Sequence, residues 1–377
     1  ELHQREVGGD GMPYGLNLIL QALGPATHYA DPVPAMDLEP VIAQLREEIH
    51  DPDFIRSLAQ RLLLDNPHRV TLVMTPDREL SQRRLDAERK RLAELKASLS
   101  EDELAAIDDQ ARALLARQAQ EDDPGILPKV PLEDVPPSLP RLSYEELRLE
   151  GLPATIYEAG TNGLVYQQLT CRLPDLSPEE LEILPHATGM AAELGIGGAD
   201  YLATQHRQSG SVGSINLFTS MRGSLEDEQQ TQASLVLSTK ALLSKSDEQQ
   251  ALMRDMLIDL RFDELRRIRD LVAQYRSRRE QSITGHGHSL AMLAAGAGLS
   301  PLARLNHVLS GMEGISALRR LDESLADDAA LEAFAARLEG LYGRLRSADW
   351  EALVVAEPDR ATAVARGAAQ CFAGFAG

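Results

Sequence analysis

A seven-residue leucine repeat, Leu85, Leu92 and Leu99, runs through a highly charged stretch at residues 77–123 and constrains this chain more than any other feature. Leu95 fills the intermediate position. That spacing lays one apolar seam along a helix, so residues 78–98 read as a helical arm. Ser100 and Glu103 have the S-x-x-E spacing of a capping box, which satisfies amide donors at a helix start. A second arm therefore begins there, with Leu104, Ile107, Ala111 and Leu114 along one face. The link at Leu99-Ser100 is too short for anything but antiparallel neighbours. Residues 78–98 carry seven Lys/Arg and four Asp/Glu, and residues 101–123 carry two and eight, so the arms have net charges of +3 and −6. Opposite charges draw the arms together, but exposed pairs contribute only about 0.2–0.5 kcal/mol each, so the seam matters more. An arm of about 20 residues spans about 30 Å, enough to bridge two globular pieces.

A chain of 377 residues suggests two or three domains. Residues 1–76 read as the C-terminal part of a domain whose beginning is missing. Gly8-Gly9-Asp10-Gly11-Met12-Pro13 is a breaker cluster, a helix opens at Tyr14, and two more follow at 38–49 and 53–64. Residues 69–74 are rich in β-branched side chains and predict a strand. Residues 77–140 are the hairpin and a strap holding Pro124, Pro128, Pro131, Pro136, Pro137 and Pro140. Residues 141–377 form one further domain. Strands are expected at 146–150, 154–158, 164–173, 211–219, 232–242 and 350–356. Thr161-Asn162-Gly163 reads as the hairpin turn between the second and third of them. Helices are expected from Ser177-Pro178 to about Glu193, at 201–208, between 247 and 342, and at 360–375. This order lacks βαβ alternation. The expected class is α+β, a largely antiparallel sheet with helices on one face, preceded by the helical hairpin linker.

Composition excludes several functions. No apolar run reaches the roughly 18 residues of a membrane span, so no membrane partner is expected. A net charge of −20 argues against nucleic acid and would favour basic peptides. Cys171 and Cys371 are the only cysteines and form no C-x-x-C, so free thiols are the reading. Glu1 is not an initiator Met, which is consistent with a fragment, and the compartment stays unknown, with a soluble cytoplasmic setting favoured over a secreted one.

No motif assigns a catalytic, cofactor-binding or metal-binding residue. His286-Gly287-His288 has no evident third ligand, and on a helix start its two side chains diverge by about 200°. His68 enters the expected strand and reads as structural. Gly195-Ile196-Gly197-Gly198 follows a helix and lacks the G-x-G-x-x-G spacing of a nucleotide site. Ser209-Gly210-Ser211-Val212-Gly213 departs from G-x-S-x-G. Glu101-Asp102-Glu103 suits a helix start, and Glu121-Asp122-Asp123 a solvated surface.

A resemblance carries the functional reading instead. Asn66-Pro67-His68-Arg69-Val70-Thr71-Leu72, Thr75-Pro76-Asp77 and Lys96-Ala97-Ser98-Leu99-Ser100-Glu101 resemble the middle of the presequence protease and falcilysin branch of the insulinase-type zinc metallopeptidases. Asp122-Asp123-Pro124, Leu127-Pro128, Asp134-Val135-Pro136 and Ala159-Gly160-Thr161-Asn162-Gly163-Leu164-Val165-Tyr166 continue the series, as do Gly287-His288-Ser289-Leu290-Ala291-Met292 and Leu309-Ser310-Gly311-Met312. The resemblance implies four related domains, two on each side of a helical hairpin, closing around a peptide chamber. It implies zinc that activates water, with a Glu as general base. It places residues 1–76 in the second domain, 77–140 in the hinge and 141–377 in the third, non-catalytic domain. The first domain, with the zinc motif H-x-x-E-H, and the fourth, with the substrate-gripping groups, lie outside this sequence. None of the nine histidines opens an H-x-x-E-H or H-E-x-x-H. The expected function is a fragment of a zinc-dependent metalloendopeptidase of unstructured oligopeptides, supplying hinge and chamber wall and inactive alone. The alternative is a non-catalytic structural or peptide-binding protein of the same fold.

Overall fold

The computed structural model describes residues 2–6, 12–121, 123–138 and 142–375. Gly8 to Gly11, Asp122 and Pro140, singled out above, lie outside the described residues. The chain divides into two units, Glu1–Ile42 with Arg141–Gly377, and Ala43–Pro140.

The chain opens with α1 (Leu2–Arg5), α2 (Tyr14–Thr27), α3 (Pro32–Met36), α4 (Glu39–Glu48) and α5 (Phe54–Ala59). Asp31 caps α3 by accepting from the Val33 amide at 3.0 Å. No residue of α2 to α5 is buried. Leu16, Ile19, Leu20 and Leu23 of α2 stay 44–59% exposed, although α2 packs against α3. Residues 69–74, expected as a strand, form none. Val70, Leu72, Val73 and Met74 are 78–90% exposed. β-propensity makes a strand only where a ladder satisfies its amides, and no other strand lies among the described residues of this unit.

The two expected arms are α6 (Leu80–Ser98) and α7 (Glu101–Gln118). Both halves of the capping box form. The Glu103 amide donates to Ser100 Oγ at 3.3 Å, and the Ser100 amide donates to Glu103 Oε2 at 2.8 Å. The seam does not close, however. Leu85, Leu92, Leu95, Ile107 and Leu114 remain 40–57% exposed. Only Leu99 and Leu104, beside the link, are half-buried. Among the described residues of this unit no third element covers the two stripes. Leu92→Asp is therefore expected to change unfolding free energy by less than about 0.5 kcal/mol. Urea unfolding of the variant checks this, and a loss above about 2 kcal/mol would show that the seam is closed.

The second part of unit 1 is built on six strands: β1 (Tyr144–Leu149), β2 (Leu152–Glu158), β3 (Leu164–Arg172), β4 (Ser214–Gly223), β5 (Thr231–Leu242) and β6 (Trp350–Ala356). The sheet order is β1-β2-β6-β3-β5-β4. Every neighbouring pair is antiparallel except β2 with β6, so the sheet is mixed and largely antiparallel. Asn162 and Gly163 do take positive φ, 54° and 77°. The strands they join are not a hairpin, because β6 inserts between β2 and β3. Turn chemistry fixes the local bend, while the partner of each strand is a long-range choice.

The helices of this part are α8 (Pro178–Met190), α9 (Tyr201–Ser211), α10 (Ser246–Asp259), α11 (Leu265–Gly285), α12 (Gly287–Gly296), α13 (Pro301–Ser310), α14 (Met312–Ser324), α15 (Asp328–Arg346) and α16 (Ala361–Cys371). Ser177 and Glu180 form a reciprocal capping box at α8, and Pro178 stands at its first position. Side chains alternate along the strands. Leu152, Ala154, Leu169, Cys171, Trp350 and Ala352 point to one face, where residues of α8, α10 and α15 bury them. Ile156, Val165, Val354 and Ala356 continue that face under Ala361, Val364 and Ala365 of α16. The helices thus cover one side of the sheet, as expected.

Candidate functional site

The opposite side of the sheet is the candidate site. Register brings residues from distant parts of the sequence into rows across it. One row is Tyr144, Tyr157, Val355, Tyr166, Lys240 and Ser214. The next is Glu146, Thr155, Leu353, Gln168, Ser238 and Asn216. The third includes Glu351, Thr170, Val236 and Phe218. These positions are mostly half-buried or exposed, in contrast with the buried core face. Tyr144 and Tyr157 make a tilted ring contact, 5.5 Å between centroids with the planes 40° apart. Gln168 Nε2 donates to Ser238 Oγ at 3.3 Å. The face is a wide wall of hydroxyl, amide and aromatic groups. The face carries Glu146 and Glu351 together with Arg148, Arg172 and Arg222, and Lys240 is paired with Glu6, so the acidity of the chain does not reside there.

The motifs weighed in the sequence are not brought together. His286 sits at the junction of α11 and α12, its Nδ1 3.2 Å from the Ser282 carbonyl. His288 is exposed on α12, and His68 is exposed in the unit that lacks strands. Among the described residues no three His, Cys, Asp or Glu side chains form a group able to hold a metal ion. The loop at 195–200 closes around its own anion. The Gly195 and Tyr201 amides donate to the two Glu264 oxygens at 2.6 and 3.0 Å. A Cβ on Gly195 would overlap the Ala199 carbonyl, so glycine is needed for this close approach. Ser209 Oγ donates to the Gln205 carbonyl at 2.8 Å, so its proton is directed at a backbone carbonyl and not at a general base.

Two buried polar features were not legible beforehand. Gln167 of β3 donates to Gln249 of α10 at 2.6 Å, and Gln250 donates to Gln167 and to the Val364 carbonyl at 3.1 Å each. Every amide in this network has a partner, which makes it a lock between strand and helices. His186 of α8 lies edge-on to Phe334 at 5.9 Å, and burial pushes its imidazole down to about 4. Neither signal separates from ordinary strand and helix composition in the sequence. Both cysteines are free. Burial raises the Cys171 thiol to about 12 and raises Cys371 as well, so neither is poised as a nucleophile.

The model of the family of regions associated with M16 peptidases of subgroup C matches residues 74–321, more than half the chain, and the chain belongs to that family. It is 26% identical over 312 residues to the mitochondrial presequence protease of Danio rerio, covering 82% of this chain and 30% of that protein. It is 25% identical over 337 residues to the chloroplastic/mitochondrial presequence protease 1 of Arabidopsis thaliana, covering 87% and 31%. The chain thus spans less than a third of the length of these relatives. Among solved structures, a peptidase M16 inactive domain from Pseudomonas fluorescens matches with a TM-score of 0.39 and 19% identity over 63% of this chain and 52% of that one. The resemblance to the presequence protease branch read from the sequence is borne out over most of the chain.

Proposed function

We propose that this chain is part of a zinc-dependent metalloendopeptidase that degrades unstructured peptides, to which it contributes a hinge and a chamber wall but no catalytic group. The observation that carries the reading is the open sheet face, broad, hydrogen-bonding and without a nucleophile or metal set among the described residues, in a member of a peptidase-associated family. In this reading residues 1–76 complete a second peptidase-like domain, 77–140 are the hinge, and 141–377 are the third domain. The uncovered apolar faces of α2 and of residues 70–74 suit docking on the first and fourth domains of the same protein. Zinc is held by those other domains. The preference for basic peptides comes from the long-range field of a chain of charge −20, because the sheet face itself carries both signs. Such a field is screened by salt, so the preference should fade between low and physiological ionic strength. No helix among the described residues is long and apolar enough to cross a membrane. Two thiols without a disulfide fit a reducing, cytoplasmic setting.

The test is to assay this chain alone and joined to flanking domains that carry H-x-x-E-H. Alone it should neither cleave a quenched-fluorescent peptide nor retain zinc after dialysis. The joined protein should do both. Turnover by the isolated chain, or one tightly held zinc per chain, would overturn the reading.

A further inference from the structure

One end of the open sheet face already holds a peptide segment, the chain's own residues 2–6. The Glu6 amide donates to the Leu2 carbonyl at 3.1 Å, which closes a single helical turn. Leu2 and Glu6, four residues apart, then lie on the same side of that turn. Glu6 places both carboxylate oxygens on Lys240 Nζ, at 2.6 and 2.7 Å. The pair is largely withdrawn from water, with Lys240 23% and Glu6 15% exposed. Asn162 Nδ2 donates to the Arg5 carbonyl at 3.1 Å. Leu2 lies so close over Gly213 that a Cβ there would overlap its side chain. Tyr166 flanks the pair, and burial with the Glu6 charge raises its phenol.

We propose that the corner formed by Asn162, Tyr166, Gly213 and Lys240 is a recognition site for an acidic peptide turn, a Leu followed four residues later by a Glu. Each contact reads a different part of the ligand. Lys240 reads the carboxylate, Asn162 reads the backbone carbonyl before it, and the bare backbone of Gly213 admits the leucine. Lys240 pairs with no other carboxylate among the described residues, so an emptied corner leaves a half-buried ammonium without its counter-charge. That deficit favours any carboxylate able to reach it. The turn is held by Lys240, Asn162 and Gly213, and the Arg5 guanidinium also donates to the Asn162 carbonyl at 3.4 Å, so a second peptide of the same pattern enters only where this turn opens locally. The site holds whether or not the longer protein cuts peptides.

The experiment uses the full chain carrying Leu2→Ser and Glu6→Gln, which empties the corner. The probe is the heptapeptide of residues 1–7, acetylated at its N-terminus and labelled with fluorescein at its C-terminus, followed by anisotropy. The emptied chain should bind it at least tenfold more tightly than the unaltered chain. Adding Lys240→Met should weaken binding at least tenfold, and so should a peptide with Gln in place of its Glu. The peptide change leaves the protein untouched, so it reads the carboxylate contact even where Lys240→Met disturbs folding. No binding to the emptied chain, or binding indifferent to the peptide's Glu, would overturn the proposal. The readout is binding and not turnover, so either result leaves the peptidase reading to its own test.

Discussion

Trp350→Ala should destabilise the protein by about 3–5 kcal/mol, the usual range for removing a large buried aromatic side chain. Trp350 is 1% exposed and is the only tryptophan of the chain. It opens β6, opposite Cys171 of β3, and its indole N–H donates to the Arg346 carbonyl at 3.2 Å, at the end of α15. The residue therefore ties the strand that splits the sheet to the helix layer beneath it. Truncation opens a cavity at the point where β6 joins β3, and it leaves the Arg346 carbonyl without that donor. Trp350→Phe restores much of the volume but not the hydrogen bond, so it should cost less, about 1–3 kcal/mol. Urea unfolding followed by far-ultraviolet circular dichroism reads both variants. A loss below about 1 kcal/mol for the alanine variant would mean that β6 is not held through this side chain. Leu92→Asp, in the exposed seam, is the contrast within the same chain.

What the sequence made legible follows the range of the interactions. The pattern over 350–356 predicts a strand, and β6 has those same bounds, because alternation and β-branching are local. The cap at Ser100 involves a partner three residues away and forms as expected, and the helix expected to start at Ser177-Pro178 does start there, with a cap of the same kind. The place of β6 between β2 and β3 was not legible. It depends on pairing Val354 with Ile156 and Gln167, nearly two hundred residues away. Residues 69–74 show the converse, a strand composition that stays unpaired. The leucine seam is a real periodicity, but periodicity states which side chains share a face and not what covers them. The open face is hidden for the same reason, since Tyr166, Lys240 and Ser214 become neighbours only through the register of three strands. The largely antiparallel class and the one-sided helix layer were legible, because element order restricts topology more strongly than it fixes partners.

Acidification should weaken the fold through His186, by about 1–3 kcal/mol between pH 7.5 and 4.5. Burial holds the folded imidazole near 4, whereas the unfolded chain binds its proton from about 6.5. Between those values unfolding takes up a proton, so stability is complete above about 6.5 and is lost as pH falls toward 4. The surroundings do not offset the new charge. Arg278, Arg279, Arg320 and Arg337 line the same hollow beside His186, with Glu182 and Glu313 as its carboxylates. The ring is only partly screened by Phe334 and keeps some contact with the hollow, which is why the full difference between 6.5 and 4 is not expected. His186→Leu keeps an apolar contact with Phe334 and removes the titration. Its stability at pH 7.5 should lie within about 1 kcal/mol of the unaltered chain. At pH 4.5 the unaltered chain should have lost about 1–3 kcal/mol more than the variant. Carboxylates held low by their partners, such as Glu180 beside Arg344, titrate in both proteins and cancel in this difference. Parallel urea titrations at the two pH values decide the matter, and equal losses in the two proteins would place His186 in contact with water in the folded state.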